Sequence, residues 1–380
     1  MNFPVVGDAD AYAAFGQSCA NFIADVGVEG SSCYNPIRPV GILIYHAIPY
    51  LLSNETVEQN YIVVLLNLLS LMVLLVSLVV TFRNLVASVG VSKHGFERLV
   101  ESLIVGLVLI LCVAYIPVRL SDLQSFAIFT SSLAILTQKN SRQKVLPMLV
   151  AGLMAGGAVL LKQNYIISIF FLVVFWVGFE FKEHLEAKFK YVFLYLLGVS
   201  LCLVQVAMVF HHSGALWFYE PKVMAGYDPV NAQPYVELVA YTDPIASAYV
   251  SRLQTELSEL QFIAVKFYEG ITKFYLSVYL GKAPLEITPE VLEISEAKLV
   301  FMQFVLIFTA LLTVATAFLK DKWITILSFM TASSIFLSVA ILHTENRYFL
   351  MTKIYCLLIM AVLLTRTVKN MRTSRGLLRE

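Results

Sequence analysis

Charge is scarce in this chain. Asp, Glu, Lys and Arg make up 14% of its 380 residues, where soluble domains carry about 25%. Hydrophobic residues make up 59%, and the mean hydropathy is +0.77. A water-soluble fold has too little interior for such a surplus, so the composition specifies an integral membrane protein. An excess of either sign is also missing. With 27 Lys and Arg against 26 Asp and Glu the net charge is +1, which removes bulk attraction to nucleic acid from consideration. The first residues show neither the basic segment nor the apolar core of a cleavable signal peptide. Internal repeats and low-complexity tracts are absent. Cysteines number five. Cys112, Cys202 and Cys356 sit inside apolar runs and read as small core residues. Cys19 and Cys33 flank the opening loop and pair if that loop faces an oxidising compartment.

The abundant feature is apolar sequence. Nine apolar spans are expected near 61–82, 99–118, 122–138, 146–161, 164–180, 190–210, 299–319, 322–342 and 349–366. Several approach the roughly 20 residues that a helix needs to cross the hydrocarbon. GILIYHAIPYLL at 41–52 is too short and fits a re-entrant or interfacial helix. One set of connections, with the C-terminal tail 367–380, gathers sixteen of the 27 basic residues, among them Arg83, Arg98, Lys144, Lys190, Lys320 and Arg372. The opposite short connections hold only Arg38, Arg119, Lys162 and Arg347. By the positive-inside rule the sixteen-charge side is cytosolic. Residues 1–60, the turns at 119–123, 161–164 and 343–348, and the stretch 211–298 then lie on the outer face, with nineteen of the 26 acidic residues there or at its edge. An outer N-terminal loop calls either for a first span that inserts with its N-terminus outside or for a helix upstream of this chain, and the upstream helix is the expectation. The chain thus divides into an acidic outer loop with an interfacial helix (1–60), helices at 61–210, an outer loop at 211–298 with an amphipathic helix near 245–280, helices at 299–366, and a basic tail.

The chemistry-bearing residues crowd the outer face. In GDADAYAAFG (7–16), Asp8 and Asp10 offer a general base or metal ligands. On an extended segment both carboxylates share one side, while on a helix start they splay. The alternative is a solvated loop with a helix N-cap at either aspartate. In HTENRY (343–348), Glu345 and Arg347 are ionisable groups beside hydrocarbon, costly unless paired or functional. A guanidinium suits phosphate, since its planar fork binds two oxygens. A Glu345–Arg347 pair or a snorkelling anchor is the plainer reading, and His343 reads as a helix-end residue. In RLSDLQ (119–124) and LLKQNY (160–165), Arg119, Asp122 and Lys162 are the only charges on their outer turns. Lys162 holds a phosphate as a point charge, or snorkels to the headgroups. In NPIRPVG (35–41), Arg38 between two prolines positions an anionic group, or steers the chain into the membrane.

The order of these motifs resembles the GT-C superfamily of integral-membrane glycosyltransferases, most closely the bacterial relatives of the polyprenyl-phosphate-sugar-dependent mannosyl- and aminoarabinosyltransferases. The shared order is an acidic DxD loop and a proline-flanked Arg before a membrane-hugging helix. A serine–aspartate turn, a Lys-containing outer turn and an E-x-R-Y turn follow before the last helix. The resemblance implies an all-α polytopic membrane protein, a GT-C-like transmembrane helix bundle with an outer-face loop region. It implies transfer of a sugar from a polyprenyl-phosphate donor to an acceptor hydroxyl of a glycan, lipid or protein. Asp8 and Asp10 match the catalytic loop, with Asp8 as the base, and Lys162, Arg347 and Arg38 match donor phosphate-binding positions. Asp122, Arg119, Glu345, His343 and Tyr348 support them. No cofactor is implied, with a divalent metal ion as the alternative. LKQNY departs from relatives that carry arginine at this turn, which loses a bidentate grip. The implied location is a bacterial inner membrane with the site on the periplasmic face, although Asn54-Glu55-Thr56 is a glycosylation sequon that also suits a eukaryotic lumen. The competing readings are an O-antigen polymerase or ligase, a transporter, and a non-catalytic membrane subunit. An outer loop with Arg252 as its one arginine speaks against the first. Spans nearly free of charge speak against the second.

Overall fold

The computed structural model describes residues 8–25, 30–36, 38–87, 95–139, 144–180, 185–216, 218, 322–340 and 350–377, and among them it is helical with no strand. The helices are α1 (Asp8–Ile23), α2 (Val40–Leu52), α3 (Thr56–Ala87), α4 (Gly95–Cys112), α5 (Asp122–Thr137), α6 (Val145–Leu161), α7 (Tyr165–Glu180), α8 (Leu185–Val199), α9 (Leu203–Ser213), α10 (Lys322–Ala340) and α11 (Leu350–Leu377). Short 3₁₀ turns, Val113–Tyr115 and Ser200–Cys202, follow α4 and join α8 to α9. The expected span 299–319, the helix near 245–280 and most of the outer loop lie outside the described residues.

Three helices are long and apolar enough to cross a membrane by length and composition: Thr56–Ala87, Phe189–Ser213 and Leu350–Val368. The first shows why such a helix needs lipid. Its Leu71, Leu74, Leu78, Phe82 and Leu85 are buried, while Leu65, Leu69, Met72 and Val76 on the other side are exposed. An apolar stripe of that length in water would drive association. At 1.5 Å per residue the 32-residue α3 is about 48 Å long, more than the hydrocarbon thickness alone.

At the centre stands α5, with fourteen of its sixteen residues buried, so every polar group on it must find a partner within the protein. Ser125, Ser131 and Thr137 bond back to carbonyls of their own helix. Ser131 also meets Ser77 of α3 at 2.8 Å, and Thr130 meets Tyr355 of α11 at 3.0 Å. The helix packs between α3 and α6, and α6 packs in turn on α8. That last contact depends on glycine. A methyl carbon on Gly152 would stand 2.0 Å from the carbonyl oxygen of Tyr195, and one on Gly198 would stand 2.5 Å from that of Leu149. With Gly156 these residues form a small-xxx-small seam that lets two backbones touch. On the far side α10 packs against α7 through Phe175 and Phe329, stacked at 4.7 Å.

The expected span at 190–210 is interrupted by the Ser200–Cys202 turn, and its second half ends at Gly214, whose left-handed φ of 73° caps α9. The opening segment follows the alternative that starts a helix at Asp8 or Asp10. The stretch from Asp8 onward is helix, because AYAAFGQSCANF has the helix-favouring alanines and no proline. Cys19 and Cys33 are bonded as a disulfide, which ties the end of α1 to the chain ahead of α2. Cys112, Cys202 and Cys356 are free and buried.

Candidate functional site

The polar groups gather at one end of the bundle, where α2 lies across the helix ends. The start of α2 is held by Gln205 of α9, whose Oε1 accepts from the Val40 N–H at 2.8 Å, and Gly41 is pressed against the Leu160 carbonyl at the end of α6. The other end of α2 reaches the start of α3, where Arg119 donates to Tyr50 Oη at 2.8 Å and to Asn60 Oδ1 at 3.2 Å. The expected short element at 41–52 is a 13-residue helix.

Beneath α2 runs a buried network. Asn67 of α3 donates to the carbonyls of Ile116 and Val118 at 2.8 and 3.0 Å and so shapes the turn that delivers Arg119 and Asp122. Its Oδ1 accepts from Tyr45 Oη at 3.2 Å and from Gln124 Nε2, which also donates to Tyr45 at 3.0 Å. Burial pushes the Tyr45 phenol up to about 12, so it stays a neutral donor at any physiological pH. The Oε1 atoms of Gln124 and Gln163 are buried without a hydrogen-bond partner among the described residues, as are both ring nitrogens of His46.

Of the residues singled out in the sequence, Asp122 and Lys162 come together: Lys162 Nζ is ion-paired with Asp122 Oδ1, their side chains 16% and 5% exposed. Lys162 therefore does not reach out to headgroups, and a phosphate bound there would have to displace or share the carboxylate. Asp122 is the first residue of α5, so its charge also faces the helix's positive end. The guanidinium of Arg119 stands 5.2 Å over the Tyr50 ring, and that of Arg38 stands 5.3 Å over the Tyr12 ring of α1. Asp8 and Asp10 occupy the first turn of α1. Two residues apart on a helix is about 200° of rotation, so the two positions fall on different faces of α1. His343, Glu345, Arg347 and Tyr348 lie outside the described residues.

The sequence reading passed over His46, Asn67, Gln124, Gln205 and Lys353. Each was marked by one signal, a polar residue inside an apolar run, which is costly in hydrocarbon and so needs a reason. Lys353, 3% exposed near the start of α11, puts a buried amine in a span read as nearly free of charge. The opposite end of the bundle is simpler: Arg83 pairs with Glu101 at 2.7 Å at the surface, and Arg366 donates to the Leu85 carbonyl at 2.6 Å. Among the described residues no group of three His, Cys, Asp or Glu stands close enough to hold a metal ion. Compared with protein-family models, curated proteins and solved structures, the chain matches none of them.

Proposed function

We propose that this chain is a polytopic membrane glycosyltransferase of the GT-C type, which moves a sugar from a polyprenyl-phosphate carrier to an acceptor hydroxyl on the periplasmic or luminal face. The observation that carries the reading is the placement of the Asp122–Lys162 pair, Arg119 and Arg38 around α2 at one end of a helix bundle, with Asp8 and Asp10 opening the helix packed on α2. Two observations support this orientation: one set of connections with the tail carries sixteen of the 27 basic residues, and a Cys19–Cys33 disulfide suits an oxidising compartment.

In this reading the acceptor hydroxyl gives its proton to Asp8, its oxygen bonds to the anomeric carbon, and the bond from that carbon to the phosphate oxygen breaks. The leaving phosphate keeps the electron pair. Lys162 and Arg38, with Arg347 from the E-x-R-Y turn, stabilise the charge it gains. Asp122, Arg119, Glu345, His343 and Tyr348 position these groups, and no cofactor is required. The test is transfer from a panel of labelled polyprenyl-phosphate sugars in proteoliposomes. Wild type is expected to transfer from at least one donor. Asp8→Asn is expected to abolish transfer while leaving the chain folded, and Asp10→Asn to weaken it. Absence of transfer from every donor, or full activity in both variants, overturns the proposal.

One observation favours a second reading. Lys162, Arg119 and Arg38 each engage a side chain of the protein itself, as anchors in a non-catalytic membrane subunit would. In that case both aspartate variants are inert, and the chain copurifies with a catalytic partner.

A further inference from the structure

His46 is 1% exposed at the middle of α2, and neither ring nitrogen has a hydrogen-bond partner among the described residues. Its cover is α1. The Tyr12 ring of α1 stacks on the imidazole at 5.2 Å with the planes 13° apart, and Gly16, one turn later, is pressed on the backbone of His46, where a methyl carbon would stand 2.4 Å from its carbonyl oxygen. Helix α1 packs chiefly on α2 and is tethered by the Cys19–Cys33 disulfide. We propose that α1 is an acid-sensitive cover, docked on α2 while His46 is neutral and released when the imidazole takes up a proton.

The physical reason is solvation. An imidazolium has two N–H donors and a full charge, and among the described residues the docked site offers it no hydrogen-bond acceptor. The groups around it do not help. Tyr12 faces it from α1, Tyr45 of α2 stands edge-on at 5.3 Å, and Arg119, ahead of α5, adds a like charge. Arg38 lies over the Tyr12 ring, Asn67 of α3 is engaged with Tyr45, and Lys162 at the end of α6 is engaged with Asp122. Asp8 lies four residues before Tyr12 on α1, by position one turn away. Burial first and Arg119 second hold the docked imidazole at about 3, against an ordinary 6.5. Undocking hydrates the ring and returns it towards its ordinary value. Above pH 6.5 both forms are neutral and docking is insensitive to pH. Between 6.5 and 3 only the open form binds the proton, so opening grows as pH falls, by up to about tenfold per pH unit for one group. The disulfide keeps the released helix attached, so the change is a local swing.

The test is hydrogen exchange of the full chain in nanodiscs between pH 7.5 and 4.5, corrected for the intrinsic pH dependence of exchange. Peptides within 11–23 are expected to lose protection progressively below pH 6.5, while peptides of α3 and α5 keep theirs. In His46→Phe, which keeps the stack on Tyr12 without a titrating group, α1 protection is expected to be flat across the range. A flat profile in wild type overturns the proposal on its own, whatever the variant does. So does an acid opening of equal size in His46→Phe, or in His46→Asn should the phenylalanine variant lose protection in α3 at pH 7.5. None of these outcomes bears on sugar transfer, so the proposal stands or falls apart from the function given above.

Discussion

Asp122→Asn is expected to destabilise the chain by about 3–5 kcal/mol, read as the unfolding midpoint in nanodiscs or detergent. The carboxylate is 5% exposed and its partner Lys162 is 16% exposed, so removing one charge takes this counter-charge from the other where water barely reaches. Lys162→Met is expected to cost a similar amount, because it strands the more deeply buried member. The double variant Asp122→Asn/Lys162→Met is expected to recover most of either loss, since a buried pair often does little better than an apolar replacement of similar volume. The coupling in this cycle is the measured quantity. Single variants that each cost under about 1 kcal/mol and add independently would show that the pair is solvated and structurally idle. The same cycle divides the two roles open to Lys162. If the lysine only balances Asp122, the double variant regains whatever activity the chain has. If it also holds the donor phosphate, stability returns and transfer does not.

Gly152→Val should be the most damaging substitution in the α6–α8 seam, at or above the upper end of the about 1–3 kcal/mol typical of overpacking. A methyl carbon there would stand 2.0 Å from the Tyr195 carbonyl oxygen and 2.9 Å from Gly198 Cα, backbone atoms that no rotamer change can move. The helices would have to part, losing contact along the whole seam. Gly157→Ala is the matched control. Its added carbon would meet only Ile128 Cγ2 at 3.9 Å, and alanine gains roughly 0.5–1 kcal/mol over glycine within a helix. Thermal unfolding of the two variants should therefore move in opposite directions. A Gly152→Val midpoint equal to that of wild type would mean that α6 and α8 do not touch as described.

Much of the arrangement around α2 follows from local chemistry that a reader of the chain can see. Apolar length marks out α3, α6, α7 and α11 to within a few residues, save where helix continues past the hydrophobic run, as at both ends of α3 and at the end of α11. Two prolines and a short apolar run announce the helix lying across the bundle, and the Cys19–Cys33 pairing was one of the options open to five cysteines. The helical start at Asp8 was less legible. Alternating carboxylates suit a strand as well as a helix turn, and only the alanines that follow and the packing of Gly16 on His46 decide for the helix.

Composition marks this chain as one that needs lipid, and the placement of Lys and Arg sets the expectation of how its connections divide, because transfer energies and charge bias depend on residue type and order alone. Partnership is a different matter. That Lys162 meets Asp122, forty residues away, that Asn67 shapes the turn before α5, and that His46 lies sealed under α1 are decided where separate helices meet. A polar residue in an apolar run shows that a partner is needed. Which partner it finds depends on the crossing of backbones at positions such as Gly152 and Gly198, where close packing rather than local propensity sets the distance.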